Sequence, residues 1–323
     1  MNDYGFKSSW ADLLAEYIDS KKKSGFKGTS IINNLRYFDS FCYSHFSEVG
    51  YFPKEVSDEF RIRPEGIKQH THYKRVNSAK LFLQWLNLKG YNVYPPRDVS
   101  RNFEQFRPHI YTLDEINRYF KAVDTYPYGK ARKMAITMPV LFRILYCCGT
   151  RIGEVLGIRK QDVDLESGVI KLIATKNGRE RYTVVPDELR LLLVKYAKMM
   201  FWSIEDVSPI FPGLKNSTSI SNGTIQSYHE EFLHMAGIPF FGGGRGPRIH
   251  DFRHTAIVLC CKQLVDSGMD MYSTMPYLAT WAGHTTQEAT EYYLRLTVEV
   301  FPYLQEKLKV TWEKVFDQLE VPE

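Results

Sequence analysis

Apolar residues recur at helical spacing through most of this chain and alternate at strand spacing in one place. WADLLAEYI carries the helical period, and KKKSGFKGTS then interrupts it with Gly25 and Gly28. Thr29 or Ser30 can cap the next segment, IINNLRYFDSFCYSHF, whose aromatic stripe suits a buried face. A third helix is predicted around NSAKLFLQWLNLKG, ending at Gly90. YFPKEVSDEFRIRPEGIKQHTHYKRV lies between the second and third helices, rich in both charge signs. Residues 1–95 therefore read as a small helical domain.

Prolines at Pro95, Pro96 and Pro108, together with loss of the apolar period, make 96–110 a linker. A second domain is expected over 111–323. It opens with Thr112 and, three positions on, Glu115, the spacing of a capping box. MAITMPVLFRILYCCG is a strongly apolar helix closed by Gly149. GVIKLIATKNGRERYTVVP then places β-branched residues on both sides of Asn177-Gly178, which predicts a hairpin. Further helices are predicted in DELRLLLVKYAKMM, TIQSYHEEFLHMAG, HDFRHTAIVLCCKQLVDSG, MPYLATWAGH and EATEYYL. The fold class is mainly α with a small antiparallel β-hairpin: a helical N-terminal domain, then a mixed α+β domain.

With 44% hydrophobic residues the chain can bury a core, so disorder is not the default. No apolar run approaches the ~20 residues of a membrane span, and the N-terminus lacks a basic-then-apolar leader, so a cytoplasmic location is expected. Cys147-Cys148 and Cys260-Cys261 lie in apolar helical runs, without metal-ligand spacing, and read as small buried hydrophobes like Cys42. The formal charge of +5 says little by itself. More informative is where cations cluster: KKKSGFKG, ARK, RGPR and DFRH sit near turns.

Four of those breaks carry candidate chemistry. In CCGTRIGEVLGI, Thr150 can cap a helix whose first residues include Arg151. An arginine at a helix start opposes the dipole unless an anion binds there; otherwise it is a surface residue paired with Glu154. Lys176 sits on the hairpin tip, where a solvated lysine is ordinary but a flexible cation can also enter a bound backbone and give a proton to a leaving oxygen. In GPRIHDFRHT, His250 and Arg253 share a helical face and make an anion clamp, Asp251 can cap, and His254 points about a quarter-turn away. In ATWAGHTTQEATEYYLRL, His284 follows Gly283 at a helix end, and Thr285 or Thr286 caps a helix bearing Tyr292 and Tyr293. The histidines form no HExxH motif and no carboxylate stands at ligand spacing to them, so no metal and no cofactor is expected.

Taken in order, GTRIGEVLGI, the lysine of IATKNGRERYTVVP, HDFRHT and AGHTTQEATEYYLRL resemble the tyrosine recombinase (phage integrase) family. The resemblance covers about 110–300, and the N-terminal part looks like the family's core-binding domain. It implies catalytic roles for Arg151, Lys176, His250, Arg253, His284 and Tyr293, with Glu154 orienting the site. Tyr293 stands nine residues beyond His284, and Tyr292 is the runner-up. The chain departs from the usual pattern at Trp281-Ala282 before Gly283 and at Phe252 where leucine is common, neither touching a reacting group. No additional arm-binding domain is expected before residue 1.

The resemblance further implies a site-specific recombinase or integrase, probing double-stranded DNA recombination sites as a homo-tetramer, with DNA-bending accessory proteins as further candidate partners. It implies cleavage through a 3′-phosphotyrosine without metal or ATP, with His250 assisting proton removal and nearby arginines favouring the phenolate. A mobile element is the favoured source, from the EATEYYLRLTVE ending. A DNA-binding relative that no longer cuts and a type IB topoisomerase-like enzyme remain alternatives. The final stretch, RLTVEVFPYLQEKLKVTWEKVF, has an apolar stripe suited to docking on a neighbouring protomer or on its own domain.

Overall fold

A computed structural model of the chain describes residues 4–25, 29–101, 107–173, 180–242, 246–270, 272–284 and 286–304. It divides into two compact units, Met1–Phe106 and Arg107–Glu323.

The first unit is built from helices α1 (Ala11–Lys23), α2 (Thr29–His45), α3 (Lys54–Phe60) and α4 (Gln69–Leu88). Trp10, fully buried, meets Phe38, Phe52 and Phe82 edge to face, which is how aromatic rings pack best. The buried Asp39 carboxylate on α2 accepts from the Ser8 hydroxyl and from the backbone N–H groups of Lys7 and Ser8, fixing the entry to α1. Two features differ from expectation. Helix α3 falls in the mixed-charge stretch, where its buried Phe60 is masked by flanking charges. A two-residue parallel pair, β1 (Tyr51–Phe52) with β2 (Asn92–Val93), joins segments far apart in sequence, a contact no local pattern announces. The start of the proline-bearing stretch is tied to α4, by Lys80 to Asp98 at 2.8 Å and by Gln69 to the Ser100 carbonyl at 2.9 Å.

The second unit contains α5 (Leu113–Thr125), α6 (Arg132–Cys147), α7 (Ile152–Leu156), strands β3 (Val169–Ile173) and β4 (Glu180–Val184), then α8 (Asp187–Met200), α9 (Asn222–Met235), α10 (Ile249–Asp266), α11 (Met275–Ala282) and α12 (Gln287–Val300). The Thr112–Glu115 capping box forms as anticipated and starts α5, which buries Ile116, Tyr119, Ala122 and Val123 on one face. β3 and β4 pair antiparallel, Val169 opposite Val184 and Ile173 opposite Glu180, while the tip carrying Lys176 lies outside the described residues. Ile170 and Leu172 turn inward into a core shared with α6, α8 and α9, whose apolar faces supply Phe142, Leu193 and Phe232.

Helix α10 is buried almost continuously from Asp251 to Val258, because α6 packs on one side of it and α11 and α12 on another. A second core joins Ile257, Val258 and Cys261 of α10 to Leu278 of α11 and Leu294 and Leu296 of α12. Leu304 is buried there too, so the described start of the C-terminal stretch packs on its own unit; residues 305–323 lie outside the described residues. The five cysteines are free, with Cys42, Cys148 and Cys261 buried. Among the described residues no helix is long and apolar enough to cross a membrane.

Candidate active site

The side chains singled out in the second unit come from four separate elements. Arg151 is the N-cap of the short helix α7, which follows a left-handed turn at Gly149, φ +55°. A Cβ at 149 would come within 2.7 Å of the Trp281 ring, so glycine lets the α6–α7 turn pass under α11. Thr150 does not cap α7. Its buried hydroxyl turns back to the Ile144 carbonyl at 3.3 Å. Glu154 closes the helix start instead, accepting from the Arg151 N–H at 2.9 Å and from its Nη1 at 2.9 Å. The pairing with Glu154 that the sequence offered is thus present, while the Arg151 side chain remains 43% exposed.

Arg253, on α10, is 1% exposed. Its Nη1 donates to the Gly149 carbonyl and its Nη2 to the Ala282 carbonyl, each at 2.6 Å, which pins the α6–α7 turn and the end of α11 to one guanidinium. Desolvation and then the nearby Arg151 pull its pKa down to about 10, while Tyr293 and Glu154 act in the opposite direction. Burying a cation against two carbonyls is costly unless its field serves a bound anion.

The glycine of AGH sits in the left-handed region, φ +66°, and ends α11; the His284 N–H then donates to the Ala279 carbonyl at 2.9 Å. The His284 ring stacks on Tyr293, centroids 5.3 Å apart and planes 13° apart, and its Nδ1 lies 3.0 Å from the Thr290 hydroxyl on α12. Of the tyrosine pair, Tyr293 is 5% exposed and turned into this cluster, whereas Tyr292 is 36% exposed and meets Tyr293 edge on. Adjacent residues on a helix diverge by about 100°, so one of them must face away.

Two residues of the cluster were not anticipated in these roles. Arg181, on β4, donates from Nη1 to the Trp281 carbonyl at 2.6 Å and from Nη2 to Glu154 at 3.0 Å, linking sheet, α7 and α11. Nothing in GRERYTVVP distinguishes it from its neighbours except strand alternation. The Tyr293 hydroxyl, moreover, meets His254, whose Nδ1 is 2.9 Å away, and not His250. His250, an exposed residue at the first turn of α10, sets its ring edge-on to His254 with centroids 4.9 Å apart. The quarter-turn between the two histidines does not carry His254 to solvent, because α10 is packed from several sides.

The charge environment is consistent across the cluster. Desolvation, followed by neighbouring positive groups, lowers His250 to about 4, His284 to about 4 and His254 to about 3, so all three rings are neutral near pH 7. His250 retains an exposed edge, and Arg253, Arg151 and Arg248 account for the rest of its shift. Glu154 is pushed up by burial, but its bonds to Arg151 and Arg181 hold it below the ordinary carboxylate range. Arg253 and Arg151 do favour a Tyr293 phenolate, as expected, yet burial outweighs them and the phenol's pKa is raised. In the free protein it is a neutral hydroxyl near pH 7. Among the described residues no group of three His, Cys, Asp or Glu side chains is placed to hold a metal ion.

A site with three arginines, three neutral histidines and one buried phenol can bind an anion and offer it an oxygen nucleophile. The sequence profile of the phage integrase family matches residues 110–299, the segment that holds every residue of this cluster. The integrase/recombinase y4rB of Sinorhizobium fredii is 22% identical over 312 residues, covering 95% of this chain and 99% of that protein. Tyrosine recombinase XerA of Pyrococcus furiosus is 22% identical over 306 residues, covering 93% of each. Among solved structures, XerH recombinase bound to its difH substrate aligns with a TM-score of 0.65 at 16% identity, over 89% of this chain and 82% of that one. A lambda integrase dimer bound to a core site aligns at 0.63 and 14%, over 88% and 94%. Profile and fold agree, and the chain belongs to the phage integrase family of tyrosine recombinases.

Proposed function

We propose that this recombinase cuts and rejoins double-stranded DNA at specific sites through a 3′-phosphotyrosine on Tyr293, without metal or ATP. The observation that carries the reading is the meeting of Tyr293 with Arg253, His254 and His284, drawn from α12, α10 and the turn after α11, beside the half-exposed Arg151.

A phosphodiester is a monoanion, and attack by an oxygen builds a second charge on it. Fixed cations are the preorganised way to stabilise that charge, because they need not reorganise as it develops. Arg151 and Arg253 would hold the nonbridging oxygens in their forks, as planar guanidinium groups do. His250, exposed at the start of α10, and His284 would donate hydrogen bonds to the same phosphate. Lys176 would protonate the leaving 5′ oxygen. The Tyr293 oxygen displaces that oxygen at phosphorus, so the phosphodiester energy is kept in the tyrosyl ester. A 5′ hydroxyl from a second duplex then reverses the step. Four copies would act on two duplexes, with mostly phosphate contacts and hence steep salt dependence. The EATEYYLRLTVE ending favours a mobile element as the source.

The test is a nicked suicide duplex carrying sequences that flank the encoding gene, incubated with wild type, Tyr293→Phe and Tyr292→Phe. Covalent trapping should persist in the Tyr292 variant and vanish in the Tyr293 variant. Trapping by Tyr293→Phe would refute the nucleophile, and no trapping by any form, with duplex binding intact, would favour a relative that no longer cuts.

A further inference from the structure

One ring at the reacting oxygen has no part in the scheme above. We infer that His254 receives the proton of Tyr293 as strand cleavage begins and returns it at rejoining. This holds only if Tyr293 is the attacking nucleophile, as proposed.

The geometry assigns the donor. The phenol oxygen is within hydrogen-bonding reach of the Arg253 guanidinium, which can only donate. Its own hydrogen is therefore left for Nδ1 of His254 at 2.9 Å. Both side chains are nearly closed to water, His254 at 9% and Tyr293 at 5% exposed, so bulk solvent is a poor competitor for that proton. The groups that face His254 are His250, edge on at 4.9 Å, Tyr292 at 6.4 Å, and the positive field of Arg248 and Arg253, with His284 beyond Tyr293. Desolvation first and these neighbours second keep its ring neutral, which leaves the Nδ1 lone pair available. The hydroxyl meets Nδ1 of His254, whereas the His250 ring makes its edge-on contact with His254.

A weakly basic ring in the free protein gains basicity where it is needed. A bound phosphate puts a negative charge against Arg151 and Arg253 and offsets the field that holds the imidazolium down. As the reaction proceeds, the Tyr293 O–H bond breaks and its electron pair forms the O–P bond. The proton goes to Nδ1, the P–O5′ bond breaks with its pair on oxygen, and Lys176 supplies that oxygen with a proton. The imidazolium then lies beside the doubly charged phosphorus centre that stabilises it. Rejoining runs each transfer backwards.

His254→Asn separates proton transfer from positioning, because an amide at that point can accept the same hydrogen bond but cannot take the proton. Single-turnover trapping on the nicked duplex should fall at least about a hundredfold, the ordinary lower bound for losing a general base. Duplex affinity should not change. Trapping by the variant should rise about tenfold per pH unit where wild type is level. Difluorotyrosine at position 293, a more acidic phenol, should restore the variant at least about tenfold and change wild type little. Trapping by His254→Asn within about threefold of wild type, or no restoration by the acidic phenol, overturns the assignment. If that variant does not fold, nitrogen-15 NMR of wild-type histidines decides: Nδ1 of His254 must be unprotonated, and a proton on it overturns the assignment. Absence of trapping by wild type would instead strike at the nucleophile, and the NMR result still stands separately.

Discussion

Replacing Gly283 by alanine tests how this site is held together. Gly283 sits at φ +66°, where an L side chain costs roughly 1–2 kcal/mol. The new Cβ would also lie 2.7 Å from Cδ and 2.9 Å from Nε of Arg181, both inside contact distance. A free side chain would swing aside, but Arg181 is tethered to the Trp281 carbonyl at 2.6 Å and to the buried Glu154 at 3.0 Å. Each such charge-assisted bond is worth about 1.5–3 kcal/mol, so losing one brings the total to roughly 3–5 kcal/mol. In an Arg181→Ala background the clash is gone and only the backbone cost of about 1–2 kcal/mol remains. The double-mutant cycle should therefore show a coupling of about 2–3 kcal/mol. Urea melts of the four proteins measure it, with the transition of the Arg107–Glu323 unit marked as the one that a Thr112→Ala control also shifts. Calorimetry should place the Gly283→Ala transition about 10 °C lower. A Gly283→Ala loss under about 1 kcal/mol, or an equal loss with and without Arg181, would refute the argument that a tethered arginine shapes the AGH turn.

Further outcomes follow from other parts of the second unit. His229 is fully buried, its Nδ1 2.8 Å from the Tyr119 hydroxyl, and burial lowers it to about 4. Its folded pKa lies below the unfolded value near 6.5, so its contribution is complete above about pH 6.5 and is lost as pH falls toward 4. Between pH 7 and 5 this one ring should cost about 2 kcal/mol, and urea melts of His229→Gln at the two pH values should show that much less acid sensitivity than wild type. Thr112→Ala removes the hydroxyl that caps the Glu115 N–H and should lower stability by about 1 kcal/mol in the same melts, with DNA trapping unchanged.

Much of the architecture was readable because it follows from local rules. The Thr112–Glu115 box, the end of α6 near Gly149 and the end of α11 at Gly283 each depend on residues within one turn of each other, and the antiparallel β3–β4 pair joins neighbouring segments of chain. Helix α3 and the β1–β2 pair were missed for the opposite reason. The first is short and surrounded by charge, and the second depends on two segments some forty residues apart. Trp281 looked like a neutral departure in sequence, yet its ring fills the space above Gly149 that a Cβ would need.

Helix-start placement was enough to suggest anion binding at Arg151 and at His250 with Arg253, while His284 and Tyr293 joined them through the resemblance to the tyrosine recombinase family. Which imidazole meets the phenol and how Arg181 bridges Glu154 to Trp281 were decided only by folding, whereas the local pairing of Arg151 with Glu154 could be named from the chain. Helical phase specifies a direction from one axis, whereas a contact depends on what other axes bring to that point. Around α10 several neighbours do so at once, and that crowding turned His254 from a side chain pointing a quarter-turn aside into the partner of Tyr293.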